Sequence, residues 1–427
     1  MKKNTCTLLV ASMLLFGMAI AEQKLGFVIE FVRHGARAPI YSNAGNFLVP
    51  PGCLTAQGMR QRYLLGKMNR QRYIDEYKLV DDTYNPSQMY IQSTNVLRTI
   101  QSSYSELIGL YPPLKQPSMS QGEKISLKSG KGMPKIKISN ANSNQNDIDA
   151  LKDDPSVGYQ YIPVFNYVNT DANDDVSSQG CDYAQQQANQ RGKDNSTYYG
   201  VKDFIFPIIR KPFQQAFKLT DKQAYALSFS NLNDMEDTTL AENMEGLPPR
   251  FIYSEDQWYA LRNIQKYNLI SPFEGKARQL WATKMLQKPL GNMTNRFNEI
   301  INGKEDIRDS MRYFIHSSHD TQLANLLEFI NPDKHEWIDM TYDSTILFEL
   351  FYDSDCVKTA TKDQDLNCFT VHSSHSGTPL KFDTCLDANK SRGSKSKVCT
   401  YRDFLTHLAK YQFQGDLQSE CQKPYLG

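Results

Sequence analysis

From residue 26 to residue 39 the chain reads GFVIEFVRHGARAP, and the first half is apolar: Phe27, Val28, Ile29, Phe31 and Val32, broken only by Glu30. A short run of β-branched and aromatic residues predicts a strand buried on both faces, as in a parallel sheet. It stops abruptly at Arg33-His34-Gly35, where polar residues begin. In α/β sheets, ligands bind in the crevice beyond the carboxyl ends of the strands. The imidazole of His34 and the guanidiniums of Arg33 and Arg37 are thus expected where chemistry is done. Gly35 lets a ligand or a backbone come close.

A helix is predicted to about residue 73 with Thr55 as its N-cap, and its basic residues (Arg60, Arg62, Lys67, Arg70, Arg72) predict a solvated face. Met89-Tyr90-Ile91 reads as a second strand. The helix after it carries Leu97, Ile100, Tyr104, Leu107 and Tyr111 along one face, and Pro112-Pro113 ends it. Arg98 falls in its first turn, where free N–H groups and the helix dipole already favour an anion, so this cation needs an anionic partner. Residues 115–158 are polar and aperiodic, a long loop or partly disordered insertion. Residues 159–304 are richer in aromatics, with helical stretches at 204–219 and 256–269. A third strand is predicted at 311–316, then a helix with Leu323, Leu326, Leu327 and Ile330 on one face and Asp320 at or beside its N-cap. Strands at 344–352 and 369–372 and an amphipathic helix through Phe404, Leu408 and Tyr411 complete the chain.

With 427 residues, 40% of them hydrophobic, the chain can bury a large core and suits two structural units. A formal net charge of +1 gives no global field toward nucleic acid or an anionic membrane. Residues 1–21 have the form of a signal peptide: Lys2 and Lys3, an apolar stretch, then Ala19-Ile20-Ala21. The apolar run is shorter than the roughly 20 residues a spanning helix needs, so no stable membrane insertion is expected after cleavage. Export leads to an oxidising compartment, where cysteines pair. Cys6 leaves with the leader, and Cys53, Cys181, Cys356, Cys368, Cys385, Cys399 and Cys421 remain. Three bridges and one odd thiol are expected; spacing does not reveal connectivity, but Cys53 stands apart and is the expected odd one. No C-x-x-C or H-E-x-x-H spacing points to a metal, and no cofactor is expected. Asn195, Asn292 and Asn389 stand in N-x-S/T triplets that fit a glycoprotein. His335, His372, His375 and His407 lie outside any motif and read as ordinary polar residues.

Arg-His-Gly-Ala-Arg-Ala-Pro (33–39) resembles the RHGxRxP signature of the histidine acid phosphatases. Ser93-Thr-Asn-Val-Leu-Arg98-Thr resembles the same family's STDxxRT block, with Asn95 where the family has an acid. His319-Asp320-Thr321 matches its HD motif, and the 53–73 helix resembles its second block. The resemblance covers residues 25–113 and 311–352. It implies an α/β fold with a Rossmann-like mixed, largely parallel sheet core, helices on both faces and an α-rich cap insertion. The parts are then residues 22–114 and 305–427 for the core and 115–304 for the polar loop and cap. It also implies His34 as nucleophile, Asp320 as general acid, and Arg33, Arg37, Arg98 and His319 as phosphate-binding groups, with a small phosphomonoester as substrate. The destination would be extracellular or lysosomal. A phytase, which needs extra cations such as those at 124–137, and a non-catalytic phospho-ligand binding protein are the alternatives. A phosphomutase fits an exported chain less well.

Overall fold

A computed structural model describes residues 23–40, 46–112, 120–129, 161–168, 171, 173–193, 198–360 and 365–427. The expected signal peptide, Asn195 and most of the polar insertion lie outside them. Within that insertion Gln121–Lys128 is helical rather than loop.

The sheet contains β1 (Gln23–Arg33), β2 (Met89–Ser93), β3 (Tyr313–Ser318), β4 (Thr345–Asp353), β5 (Phe369–His375), β6 (Thr378–Pro379) and β7 (Cys399–Thr400). Its order is β2-β3-β1-β4-β5-β6, with β7 also on β5. β1 and β2 both run parallel to β3, whereas β4 runs antiparallel to β1. The three parallel strands therefore end side by side, with Arg33 opposite Ser318 and Ser93 opposite Ser317. Whatever follows those strands must converge on one edge. That places His34, the 94–98 turn and His319-Asp320 together.

The helices are α1 (Ala56–Asn69), α2 (Leu97–Leu110), α3 (Gln121–Lys128), α4 (Asp182–Lys193), α5 (Tyr199–Ala216), α6 (Asp221–Tyr225), α7 (Phe229–Met244), α8 (Glu255–Ile270), α9 (Lys276–Ile301), α10 (Asp320–Ile330), α11 (Ser354–Thr359), α12 (Asp383–Ser391), α13 (Tyr401–Ala409) and α14 (Leu417–Cys421). Because side chains alternate along a strand, Phe27, Ile29 and Phe31 of β1 pack with Trp281, Met285 and Phe297 of α9 and Leu323 of α10. Val28 and Val32 face the other way, toward Tyr73, Ile74 and Leu107. A separate cluster through Ile205, Ile209, Phe213, Leu232, Leu261 and Ile264 joins α5, α7 and α8. Thus α9 packs on the sheet while α5, α7 and α8 share their own core.

Three expectations are corrected. The basic stretch from Arg60 to Arg72, on helix α1 (capped by Thr55 as expected) and the helical turn after it, presents only part of its charge to water. Arg62 is fully buried, Arg70 donates to the Leu110 carbonyl at 2.8 Å, and Arg72 grips Glu349 with two bonds of 2.7 and 2.9 Å. Only Arg60 and Lys67 are exposed among those five. Helix α2 buries Thr99, Ser102, Ser103, Glu106, Leu107 and Leu110, leaving Leu97 and Tyr104 outside. A Cβ at Gly66 of α1 would lie 2.0 Å from the Glu106 carbonyl oxygen, so these helices meet backbone to backbone and small polar residues occupy the contact. Asn389 is buried with its amide donating to Ser396 and Val398 carbonyls, which leaves no free acceptor for a glycan.

The disulfides are Cys181–Cys421, Cys356–Cys368 and Cys385–Cys399, and Cys53 is a free thiol, as expected. No helix among the described residues is long and apolar enough to cross a membrane.

Candidate active site

The loop after β1 is set by backbone contacts. The His34 N–H donates to the Ser318 carbonyl at 3.0 Å, the Gly35 N–H to Ser102 Oγ at 3.1 Å, and the Ala36 N–H to Gln61 Oε1 at 2.8 Å. At Gly35 a Cβ would lie 2.2 Å from the Gly58 carbonyl oxygen. Glycine is required there so that the loop can press onto the start of α1.

His34 Nδ1 lies 2.8 Å from the Gly35 carbonyl oxygen. A carbonyl only accepts, so Nδ1 carries the proton and Nε2 is left with its lone pair. Burial first, then the charges of Arg33 and Arg98, hold the ring well below the usual imidazole range and keep it neutral. The His319 ring stands edge-on to it with centroids 5.3 Å apart.

The three arginines differ in their partners. Arg33 pairs with Asp320 at 2.5 Å, donates to the Met340 carbonyl and lies 4.3 Å over the Tyr342 ring. Arg37 pairs with Asp237 at 2.7 Å, and the other Asp237 oxygen takes the Ile40 N–H at 2.8 Å. Arg98 instead meets a neutral ring: its Nη2 lies 3.2 Å from His319 Nδ1. Burial, then the charge of Arg37, lowers Arg98 to about 10, still a cation at neutral pH. The opposite nitrogen of His319, Nε2, is 2.9 Å from Thr94 Oγ1, and burial lowers this ring to about 3. Since Arg98 can only donate, Nδ1 accepts and Nε2–H points at Thr94.

Asp320 opens α10 at its first position, with Oδ1 taking the Thr321 N–H at 2.9 Å. Burial pushes this carboxyl up, but Arg33, Arg37, His319 and Arg98 together outweigh it and hold it below the usual carboxylate range. A cavity of about 280 Å³ is lined by Arg37, Arg98, His319 and Asp320, together with Glu236 and Asp237 of α7. A second cavity of about 320 Å³ shares Asp237 with it and is lined by Arg33, Trp258 and Tyr342. Of the six predicted site residues, Arg37, Arg98, His319 and Asp320 line the first cavity and Arg33 the second, while the His34 ring stands against His319 and Tyr342. Sequence reasoning missed Asp237, Tyr342 and Glu236, which belong to no motif. For Asp237 the signal was indirect: a buried arginine is costly without a carboxylate beside it. Among the described residues, no cluster of His, Cys, Asp or Glu could hold a metal ion.

A neutral buried imidazole with one free lone pair, near a guanidinium that pairs with no carboxylate among the described residues, could handle an anion at this edge of the mixed sheet. The chain belongs to the histidine phosphatase superfamily (branch 2), whose family model matches residues 24–362. It is 35% identical over 119 residues to the mouse prostatic acid phosphatase, covering 26% of this chain and 30% of that protein. It is 37% identical over 97 residues to the Xenopus laevis lysosomal acid phosphatase, 21% of this chain and 22% of that one. These matches span under a third of the relatives' length. In fold it is similar to a Hafnia alvei phytase, with TM-score 0.59 and 15% identity over 95% of this chain and 100% of that one. A Citrobacter braakii phytase gives 0.57 and 16%, over 94% and 99%. At such identities the likeness concerns the fold alone.

Proposed function

We propose that this protein is an acid phosphatase of the secretory route, extracellular or lysosomal, that hydrolyses phosphomonoesters through a phosphohistidine. The observation that carries the reading is the His34 ring: neutral, fixed through Nδ1, with Nε2 free beside the arginines. Residues 22–114 and 305–427 supply this core, and the helical part of 115–304 bounds the cavity through Glu236 and Asp237 of α7. The secretory assignment is supported by the three disulfides.

In the first step the Nε2 lone pair attacks phosphorus and the ester P–O bond breaks. Its electron pair leaves with the alcohol oxygen, which takes a proton from Asp320. In the second step water attacks the phosphohistidine and gives a proton to Asp320. The P–N pair returns to His34, and phosphate is released. Arg33, Arg37 and Arg98 match phosphate oxygens with charge-assisted bonds, so positioning and electrostatics supply most of the rate. His319 acts first by orienting Arg98. When the substrate draws Arg98 away, its tautomer can invert, since the Thr94 hydroxyl both donates and accepts, and Nδ1–H then faces the phosphate.

Asp320 needs a proton to act, yet its arginines favour the ionised form. A phosphate dianion that takes Arg33 for itself relieves that pull, and acid pH does the rest. Glu236, Asp237 and Asp320 line the cavity, and its only lining cations among the described residues are Arg37 and Arg98. Such a wall suits one phosphate and disfavours an inositol hexakisphosphate.

The test is hydrolysis of p-nitrophenyl phosphate at acid pH with and without vanadate. Turnover that vanadate suppresses is the expected result. An inert folded protein that still binds phosphate would assign the chain to ligand binding instead.

A further inference from the structure

Beside Asp237 on α7, Glu236 has no role in the steps above. It is 2% exposed, its Oε1 is buried without a hydrogen-bond partner, and its side chain lines the cavity that holds Arg37, Arg98, His319 and Asp320. An unpartnered carboxyl oxygen in such a place is unfavourable unless something arrives to meet it.

The charges around it come from every wall. Asp237 is its neighbour on α7, Arg33 and Arg37 follow β1, and Asp320 opens α10. Arg98 of α2 and His319 complete the lining. Arg33 is matched by Asp320 and Arg37 by Asp237, while Arg98 meets an imidazole and, among the described residues, no carboxylate within ion-pair distance. One cation is therefore left for a ligand, and an ionised Glu236 would cancel it. Burial first, then the charge of Asp237, pushes the Glu236 carboxyl well above the usual range despite Arg33 and Arg37. A neutral carboxyl is an O–H donor, whereas a carboxylate accepts only and repels phosphate.

We propose that Glu236 contacts the substrate, donating the hydrogen bond of its carboxyl to an oxygen of the bound phosphate ester. The proposal rests on the phosphatase reading and deepens it. Its consequence is a second source of acid preference. When Glu236 loses its proton, a donor becomes an acceptor and the crevice loses its surplus positive charge, so substrate capture fails. The residue binds; it does not transfer the proton.

Glu236→Gln keeps the size and an N–H donor but cannot ionise. Two quantities would be followed between about pH 4 and pH 8: kcat/KM for p-nitrophenyl phosphate and the inhibition constant of inorganic phosphate. At about pH 5 the variant should stay within about threefold of the parent. The ratio of kcat/KM at about pH 7 to that at about pH 5 should rise about tenfold, and phosphate should bind correspondingly tighter at the higher pH. Glu236→Ala should raise KM at about pH 5 about tenfold with little change in kcat. Unchanged pH ratios and phosphate affinities in Glu236→Gln would overturn the proposal. So would a loss confined to kcat in both variants, which would make the residue a proton donor or a purely structural group. If the parent itself hydrolyses no phosphomonoester, the phosphatase reading fails; if the parent is active and Glu236→Gln overlays it, only this proposal does.

Discussion

Two clusters of buried charge lie three residues apart on β1, and they treat their charge in opposite ways. Around Arg33, at the strand's end, three guanidiniums share two carboxylates, and Arg98 is left against a neutral ring. Around Glu30, within the strand, three carboxyls share one guanidinium, since Arg62 also lies 3.6 Å from Asp343. Arg62 donates to Glu106, while Glu30 takes Asn69 Nδ2 at 3.1 Å and the Tyr313 hydroxyl. Asn69 also reaches Glu106 at 3.0 Å. Burial and the Glu106 charge push Glu30 up to about 8, so it resolves its conflict by keeping a proton. Arg33 and Arg98 can do no such thing, because a guanidinium does not give up its proton at working pH. A surplus of acid can be neutralised from within, whereas a surplus of arginine needs an anion from outside. That asymmetry separates a cluster open to an anion from one that is closed. Arg62 joins them, since its Nη1 also holds the Arg33 carbonyl at 2.8 Å.

Removing the proposed nucleophile should have the largest effect. His34→Ala is expected to lower p-nitrophenyl phosphate turnover at least a thousandfold, on the order of what single nucleophile deletions remove. Thermal unfolding should be little changed, because the lost ring makes one local hydrogen bond. If the folded variant kept near-normal turnover, the nucleophile would lie elsewhere and the open cluster would have no catalytic meaning.

Asp320→Asn should come next. A lost general acid removes about 10²–10⁴ from the rate where the leaving oxygen needs a proton. An alkyl phosphate should therefore suffer far more than p-nitrophenyl phosphate, whose phenolate leaves unaided. Equal losses on both substrates would point to Asp320 as no more than the partner of Arg33.

The contrast between clusters is sharpest in paired arginine substitutions. Arg98→Ala removes a cation that pairs with no carboxylate among the described residues. It should reduce kcat/KM about 10²-fold, comparable to losing one preorganised donor, without lowering the melting temperature. Arg62→Ala strands Glu106 beside Glu30 and should destabilise the fold by about 3–5 kcal/mol. Calorimetry and kinetics on both variants check this. Were Arg98→Ala the less stable of the two, the division between open and closed clusters would collapse.

How much of this was legible follows the same line. The run ending at Arg33-His34 announced the central strand and the place of the candidate site, because a fully buried strand must be continuously apolar and ligands bind beyond its end. Arg98 was legible as a cation at the wrong end of a helix. The buried cluster was not. Glu30 looked like an interruption in an apolar run and Arg62 like one surface charge among five. Each makes sense only through the other and through Glu106, residues brought together by the α1–α2 contact. The stripe read along α2 failed for a related reason: close packing at Gly66 selects small and polar residues, so hydrophobicity stopped reporting burial. Glu236 had no local pattern either. Its meaning depends on what faces it across the cavity.

The smallest effect, and the most diagnostic of the closed cluster, concerns pH. Glu30 titrates at about 8 in the fold against an ordinary value of 4.5, raised by burial and then by Glu106. Between those values the unfolded chain has released this proton while the folded chain still holds it. The unfolded state then binds fewer protons, so this group's contribution makes stability fall as the pH rises through that window, and it makes no demand below about 4.5. Glu30→Gln keeps the acceptor for Asn69 and offers Tyr313 an amide in place of the acid, without a titrating proton. Denaturant unfolding at about pH 5 and about pH 8 should show a smaller stability difference in the variant than in the parent, chiefly because the variant is the more stable at the higher pH. An identical pH dependence in the two proteins would mean that Glu30 is ionised in the fold. The cluster would then need a second cation, and buried acid would no longer differ from buried arginine in relieving its own excess of charge.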